Sequence, residues 1–350
     1  MKKIHLAPLL VGCACVGAHA QTSVTLYGVL DTGIEFVNHA SAKGGDLVQE
    51  SSGGLSNSRF GFKGTEDLGG GNSAFFILEA GIDSNNGAPA SSGILFNRTA
   101  EVGLANAYGA VSLGLQYTAM YDILEDFDPM IYAPHYTWFP TTGSADDFSF
   151  KARLNNTVKY VGHFDGLTAI ADYSFGGDAG SLQSDAAYGA GLRYDIGSFS
   201  AAAAYDYRNG TITTGGSWTK TSNWSVSAMD TMGRATLTGG YEHYLNEPIA
   251  GAATTAGLLF AGTRYQVTPA YKLTLAYYYQ INDTAKVSNS WMGVLNNDYA
   301  LSKRTDVYAT LAYAQSTRNG NGSYTPVGVT DATAFDDNQT GIMIGIRHRF

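Results

Sequence analysis

Apolar and polar residues alternate with a period of two along most of this chain, broken by clusters of Gly, Asn, Asp and Ser. Successive side chains of a strand point to opposite faces, so this pattern commits the chain to short extended segments with one apolar face each. In the first, Val24, Leu26, Gly28, Leu30 and Ile34 oppose Thr25, Tyr27, Asp31 and Glu35. Further along, Phe60 and Phe62 oppose Arg59, Lys63 and Thr65, and Leu273, Leu275, Tyr277 and Tyr279 oppose Lys272 and Thr274. Sixteen segments begin near Val24, Ser58, Asn72, Asn97, Ala110, Asn156, Leu167, Ala186, Phe199, Ser222, Ala235, Thr255, Tyr271, Ser290, Asp306 and Gln339. The tenth, twelfth and fourteenth have the weakest pattern, which leaves fourteen and eighteen open.

The connections alternate in length. Leu68 to Gly71, Phe164 to Gly166, Ile196 to Ser198, Val267 to Ala270 and Lys303 to Thr305 are short. Those near 38–57, 83–96, 117–152, 209–221, 245–254 and 316–338 are long. Short turns on one side and long loops on the other are what a sheet threaded through a membrane produces. A soluble β-sandwich shares the richness in Gly and Tyr but has no reason to alternate this way. The expected fold is all-β: a transmembrane antiparallel β-barrel of sixteen strands, with an even count keeping both termini on one side.

The N-terminus reads as an export signal. Lys2 and Lys3 precede a mainly apolar stretch from Ile4 to Val16, and Ala18-His19-Ala20 forms a small-residue cleavage site. Residues 1–20 are thus expected to be a leader and 21–350 a single barrel domain. Leu10-Val11-Gly12-Cys13 offers a rival reading as a lipoprotein box; cleavage after Ala20 instead discards both cysteines, Cys13 and Cys15, leaving no thiolate metal site. It also takes the formal charge from −9 to −11, which argues against nucleic acid as a partner. Only 15% of residues are charged, yet no apolar run of ~18 residues follows Ala20, so a spanning helix is not expected. In the last segment Ile342, Ile344, Ile346, His348 and Phe350 line one face, with Met343, Arg347 and Arg349 on the other. A strand ending in an aromatic residue resembles the signal read by the outer-membrane insertion machinery, here Phe350.

Several stretches together resemble the general porins of beta-proteobacteria, related to the sixteen-stranded trimeric porins of enterobacteria. They include Ser23-Val24-Thr25-Leu26-Tyr27-Gly28-Val29-Leu30-Asp31 and Ser58-Arg59-Phe60-Gly61-Phe62-Lys63-Gly64-Thr65-Glu66-Asp67-Leu68. Phe96-Asn97-Arg98, Arg153-Leu154-Asn155-Asn156-Thr157, Ser302-Lys303-Arg304-Thr305-Asp306 and Arg347-His348-Arg349-Phe350 continue the match. The resemblance implies an outer-membrane homotrimer, surrounded by outer-membrane lipids, in which each barrel passes small hydrophilic solutes and ions. It also implies that the long third loop, 117–152, folds into the lumen. Arg59, Arg98 and Arg153 are then expected on the constriction wall, with Glu79 beside them and Lys63 on the same face as Arg59. Asp122, Glu125, Asp126 and Asp128 are the candidate acids of the loop.

Two departures stand out. Where the family commonly carries Leu-Gly-Arg-Gln, this chain has Leu113-Gly114-Leu115-Gln116, which puts in doubt a subunit contact made by that arginine. Glu101 falls on the expected outward phase, where a carboxylate in lipid is costly, so either a subunit interface or a local bulge is required. Three wall arginines point to a mild anion preference. The readings set against a general pore are a substrate-specific outer-membrane channel and, more remotely, a barrel enzyme. His39, His135, His163, His243 and His348 are scattered and sit in no catalytic motif. No cofactor and no metal is expected: Gly176-Gly177-Asp178 and Gly320-Asn321-Gly322 read as turns, and Gly69-Gly70-Gly71 lacks the Lys and helix of a phosphate loop.

Overall fold

The computed structural model describes residues 23–41, 44–137, 150–213, 215–282, 289–316 and 338–350. The leader, its cleavage site and the Cys13 box lie outside the described residues, as do 138–149 of the third connection and 317–337 of the last long loop. The strands are β1 (Ser23–Val37), β2 (Leu47–Ser52), β3 (Arg59–Gly69), β4 (Asn72–Gly81), β5 (Thr99–Asn106) and β6 (Gly109–Tyr117). After the third connection come β7 (Arg153–Phe164), β8 (Leu167–Ser174), β9 (Ala187–Ile196), β10 (Phe199–Asn209), β11 (Lys220–Met232) and β12 (Ala235–Glu247). The series ends with β13 (Thr254–Thr268), β14 (Tyr271–Asn282), β15 (Ser290–Ala300), β16 (Thr305–Ser316) and β17 (Asn338–Arg349).

From β3 onward every strand pairs antiparallel with the next. The ring closes where β17 pairs with β1, Val29 opposite Arg349 through Val37 opposite Gly341. On its other edge β1 pairs with β3 over Ser23 to Val29 and with β2 over Thr32 to Val37. Thus β2 and β3 are two halves of one interrupted strand, and the closed antiparallel barrel has sixteen strands. The three segments with weak alternation are all present, as β11, β13 and β15.

Closure leaves the ring without a free first or last strand, the condition for a sheet to live in hydrocarbon. Among the described residues only the short β2, at the long-loop end, pairs on one side alone. Along β1 the outward Ile34 is 59% exposed while the inward Asp31 and Glu35 are fully buried. β17 repeats the pattern, with Ile342, Ile344 and Ile346 outward and Met343 inward. Exposed aromatics cluster at both ends of the wall. Tyr108, Phe164, Tyr194, Phe199, Tyr265, Tyr299 and Phe350 lie at the short-turn end; Tyr188, Tyr205, Trp224 and Tyr277 lie toward the long loops. Two such girdles flanking an apolar band match the two interfaces of a bilayer. No helix among the described residues is long and apolar enough to cross one.

Two local irregularities matter for the lumen. The break between β2 and β3 brings residues 53–58 inward, where the Asp31 carboxylate accepts from the N–H groups of Gly54, Leu55 and Ser56 at 3.2, 3.0 and 2.7 Å. The second corrects the expected phase of Glu101. Arg98 occupies a bend before β5 rather than the strand itself, its N–H donating to Glu79 O at 3.1 Å. The alternation therefore restarts at Thr99: Val102 and Leu104 face lipid, and Glu101 faces the lumen beside Ser112 and Lys159. The apparent carboxylate in lipid does not exist.

Candidate functional site

The third connection is not structureless. Thr118 caps a short helix, α1 (Ala119–Leu124), its Oγ1 accepting from Tyr121 N–H at 3.3 Å. A 3-10 turn follows over Glu125–Phe127. This segment lies inside the barrel, along the wall. Ala119 N–H donates to Asp172 Oδ2 of β8 at 2.6 Å, and Thr238 of β12 donates to Phe127 O. Glycines on the wall make room for it: a Cβ at Gly191 would come within 2.6 Å of Ile123, and one at Gly262 within 2.5 Å of Pro129. Farther on, Tyr136 donates to Glu35 Oε1 of β1 at 2.9 Å, and His135 Nδ1 lies 3.2 Å from the same oxygen. The segment thus runs from β7 and β8 round to β1, leaving the lumen open on the side of β3 to β6.

On that open side Glu79 gathers the wall cations. It lies 2.7 Å from Arg98 Nε and 3.4 Å from Arg59 Nε, and Tyr27 donates to it at 3.0 Å. Tyr117, at the end of β6, joins the cluster to the inserted segment. Its hydroxyl accepts from Arg98, and from Arg153 at 2.6 Å. One face of its ring carries the Arg153 guanidinium at 4.3 Å, and it stacks on Tyr121 of α1 at 4.3 Å between centroids. Tyr117 was missing from the expected set because a tyrosine at a strand end gives no sequence signal of this role.

A void of about 470 Å³ opens between these groups. Arg59, Arg98, Glu79, Tyr117, Tyr121, Asp122 and Glu125 line it, together with Leu55, Ser56 and Asn57 from the inturned break. From the far wall come Arg264, Lys272, Thr274, Asn296, Asp298, Arg347 and Arg349. Arg153 is not in the lining; it sits behind Tyr117. Lys63, 5.2 Å from the Tyr27 ring centre, lies four residues nearer the short-turn end than Arg59 and outside the lining.

The four loop acids divide. Asp122 and Glu125 border the void, and Asp122 pairs with Lys159 Nζ of β7 at 2.8 Å. Burial pushes the Glu125 carboxyl up from its ordinary range, and the charges of Asp126 and Asp122 act the same way. Asp126 instead pairs with Arg193 of β9 at 2.7 Å. Asp128 is 2% exposed and is an internal anchor: Tyr278 donates to it at 2.7 Å, and Tyr132 N–H at 2.9 Å. Burial pushes its carboxyl up to about 6.

The far-wall cations were legible only in part. Alternation puts Lys272, Arg347 and Arg349 on the inward face, but phase says nothing about height along the bore. Their heights follow from the stagger of the strands, which brings Lys272 to 3.3 Å from Asp298, Arg347 to 2.7 Å from Asp306 and Arg349 to 2.7 Å from the same acid. Arg264 was not singled out at all. Among the described residues no group of three or more His, Cys, Asp or Glu side chains is arranged to hold a metal ion.

Comparison with known proteins places this architecture. A family model described as Gram-negative porin matches residues 7–320. Outer membrane porin protein 32 of Delftia acidovorans is 32% identical, with all of both chains covered. An outer membrane porin of Bordetella pertussis is 28% identical, again over all of both chains. Among solved structures, an anion-selective porin from Comamonas acidovorans superposes with a TM-score of 0.82 at 27% identity, covering 94% of this chain and all of that one. The trimer form of OmpT from Vibrio cholerae shares the fold, with a TM-score of 0.70 at 19% identity over 94% of this chain and 99% of its own.

Proposed function

This chain belongs to the Gram-negative porin family, and we propose that it is a general diffusion porin of the outer membrane that passes small hydrophilic solutes with a bias toward anions. Its full-length relatives are outer-membrane porins and not enzymes, so its work has no chemical step. Selectivity in such a pore comes from bore and fixed charge. One observation carries the anion bias. The void is lined by six cations, Arg59, Arg98, Arg264, Lys272, Arg347 and Arg349, against four acids, Glu79, Asp122, Glu125 and Asp298. The anion-selective porin from Comamonas acidovorans has the same fold at 27% identity, which supports this reading.

Mechanistically, carboxylates on the inserted segment and guanidinium groups on the wall set up a transverse field across the narrow part of the bore. Polar solutes exchange part of their hydration for these side chains. Apolar solutes disturb ordered water and gain no hydrogen bonds in return. The bias is tested in planar bilayers under a salt gradient: neutralising Arg59 and Arg98 together is expected to move the reversal potential toward cations. An unchanged potential would remove these residues from the constriction.

The working unit in this reading is a homotrimer of independent pores, made after residues 1–20 are cut away and inserted through a signal that includes Phe350. Backbone pairing of Phe350 with Gly28, 3.1 Å in both directions, supports a part for the last residue in closing the seam. Closure of single channels in three equal steps, together with a mature N-terminus at Gln21, is expected. Single-step closure would argue against the trimer.

A further inference from the structure

On the far wall of the void, away from the Glu79 cluster, three of the lining side chains form a row across adjacent strands. Arg264 of β13 is the register partner of Thr274 of β14, and Thr274 is the register partner of Asn296 of β15. All three line the void, and Thr274 and Asn296 are each only 3% exposed.

Arg264 differs from every other cation of the lining. Arg59 and Arg98 share Glu79, Lys272 pairs with Asp298, Arg347 with Asp298 and Asp306, and Arg349 with Asp306. Among the described residues Arg264 has no ion pair. It donates to the backbone carbonyl of Asp126 at 3.0 Å and touches the Met229 sulfur at 3.8 Å. Those two contacts fix the guanidinium without a carboxylate in direct contact, the Asp126 and Asp128 charges acting on it only from farther away. Along the row, Thr310 donates to Asn296 Oδ1 at 2.8 Å, which takes one lone pair of that oxygen, orients the amide and leaves its N–H groups to donate. Thr274 makes no side-chain hydrogen bond among the described residues, so its hydroxyl is also available. The row therefore offers a charge and several donors, beside the free lone pairs of the Thr274 hydroxyl and the Asn296 amide oxygen. A cation is repelled by the Arg264 charge, and a neutral solute satisfies the row only in part. A small group with negative charge and several acceptor oxygens satisfies all of it.

We propose that Arg264, Thr274 and Asn296 form an oxyanion station, a weak binding site for carboxylate, phosphate or sulfate groups on the wall away from Glu79. The station rests on the anion-passing reading and sharpens it, because chloride, with a single spherical surface, uses the charge but not the row.

Inorganic phosphate and chloride, as potassium salts, are the probes in planar bilayers; heat-modifiable migration of the full-length protein checks folding. R264Q is expected to lower phosphate permeability relative to potassium by about fivefold or more, and chloride permeability less, with R264K restoring most of both. T274V is expected to lower phosphate by about threefold and leave chloride unchanged. R59Q is expected to act equally on both anions. If R264Q reduces chloride as much as phosphate, Arg264 contributes only to the general field and the station is overturned. If R264Q leaves an anion-selective pore unaltered, the station is likewise overturned while the pore reading stands. A wild-type protein with no anion preference would instead overturn the reading beneath it.

Discussion

Glu79 is the one acid shared by Arg59 and Arg98, so replacing it by glutamine isolates its electrostatic contribution to the bore. Glu79→Gln keeps a carbonyl acceptor for Arg98 Nε, now 2.7 Å from the carboxylate, and removes one negative charge shared with Arg59. For an ion passing at about 6 Å, that charge is worth ~0.7 kcal/mol in bulk water and ~2.8 kcal/mol at an effective dielectric constant of about 20. Screening over a Debye length of about 10 Å in 0.1 M salt reduces both roughly by half. The remaining ~0.4 to 1.5 kcal/mol acts with opposite sign on anion and cation, which corresponds to a rise of about fourfold to a hundredfold in the anion-to-cation permeability ratio. Reversal potentials of the refolded protein under a potassium chloride gradient give this ratio directly. The double variant Glu79→Gln/Arg98→Gln restores the formal charge and is expected to return near the wild-type value. A ratio that stays fixed in the single variant, or moves toward cations, would refute the assignment of Glu79 as the counter-charge of the bore.

Tyr117→Phe removes the acceptor shared by Arg98 and Arg153, so Arg153 is expected to become mobile while Arg98 stays on Glu79, with altered single-channel conductance and a stability loss of about 1–3 kcal/mol. Gly191→Val drives a side chain into Ile123, and displacement of α1 is expected to change conductance while the barrel still migrates as a folded species. Asp128, on the inserted segment, has its carboxyl raised in the folded state to about 6 by burial. A raised carboxyl binds its proton more tightly folded than unfolded, so this contribution is present below about pH 4 and is lost as pH rises through about 6. Thermal melts in detergent are expected to show that decline, and Asp128→Asn to flatten it.

Much of the barrel follows from local pattern. Inward Asp31 and Glu35 and outward Leu30 and Ile34 are separated by alternation alone, because a pleated strand has only two faces. The same rule failed at Glu101, since a bend at Arg98 shifts the phase by one and periodicity carries no record of a bend. Arg59, Arg98 and Arg153 were found by resemblance and Glu79 by its strand phase; the structure brings Arg59, Arg98 and Glu79 to one void and leaves Arg153 outside its lining. Asp122 and Glu125 were not separable in sequence from Asp126 and Asp128, because four acids on one short segment differ only in where each turn of backbone points them.

Sequence by itself determined most of which side chains face lipid and which face water, with Glu101 the exception, roughly where the strands begin apart from β2, and that the connections alternate between short and long. Those are properties of neighbours along the chain. Only the tertiary structure decided that Arg264, Thr274 and Asn296 share a row, that Tyr117 bridges two arginines, and that Asp128 is an anchor. The stagger of strands around a closed ring and the path of one inserted segment set those distances. Both depend on contacts between residues far apart in sequence.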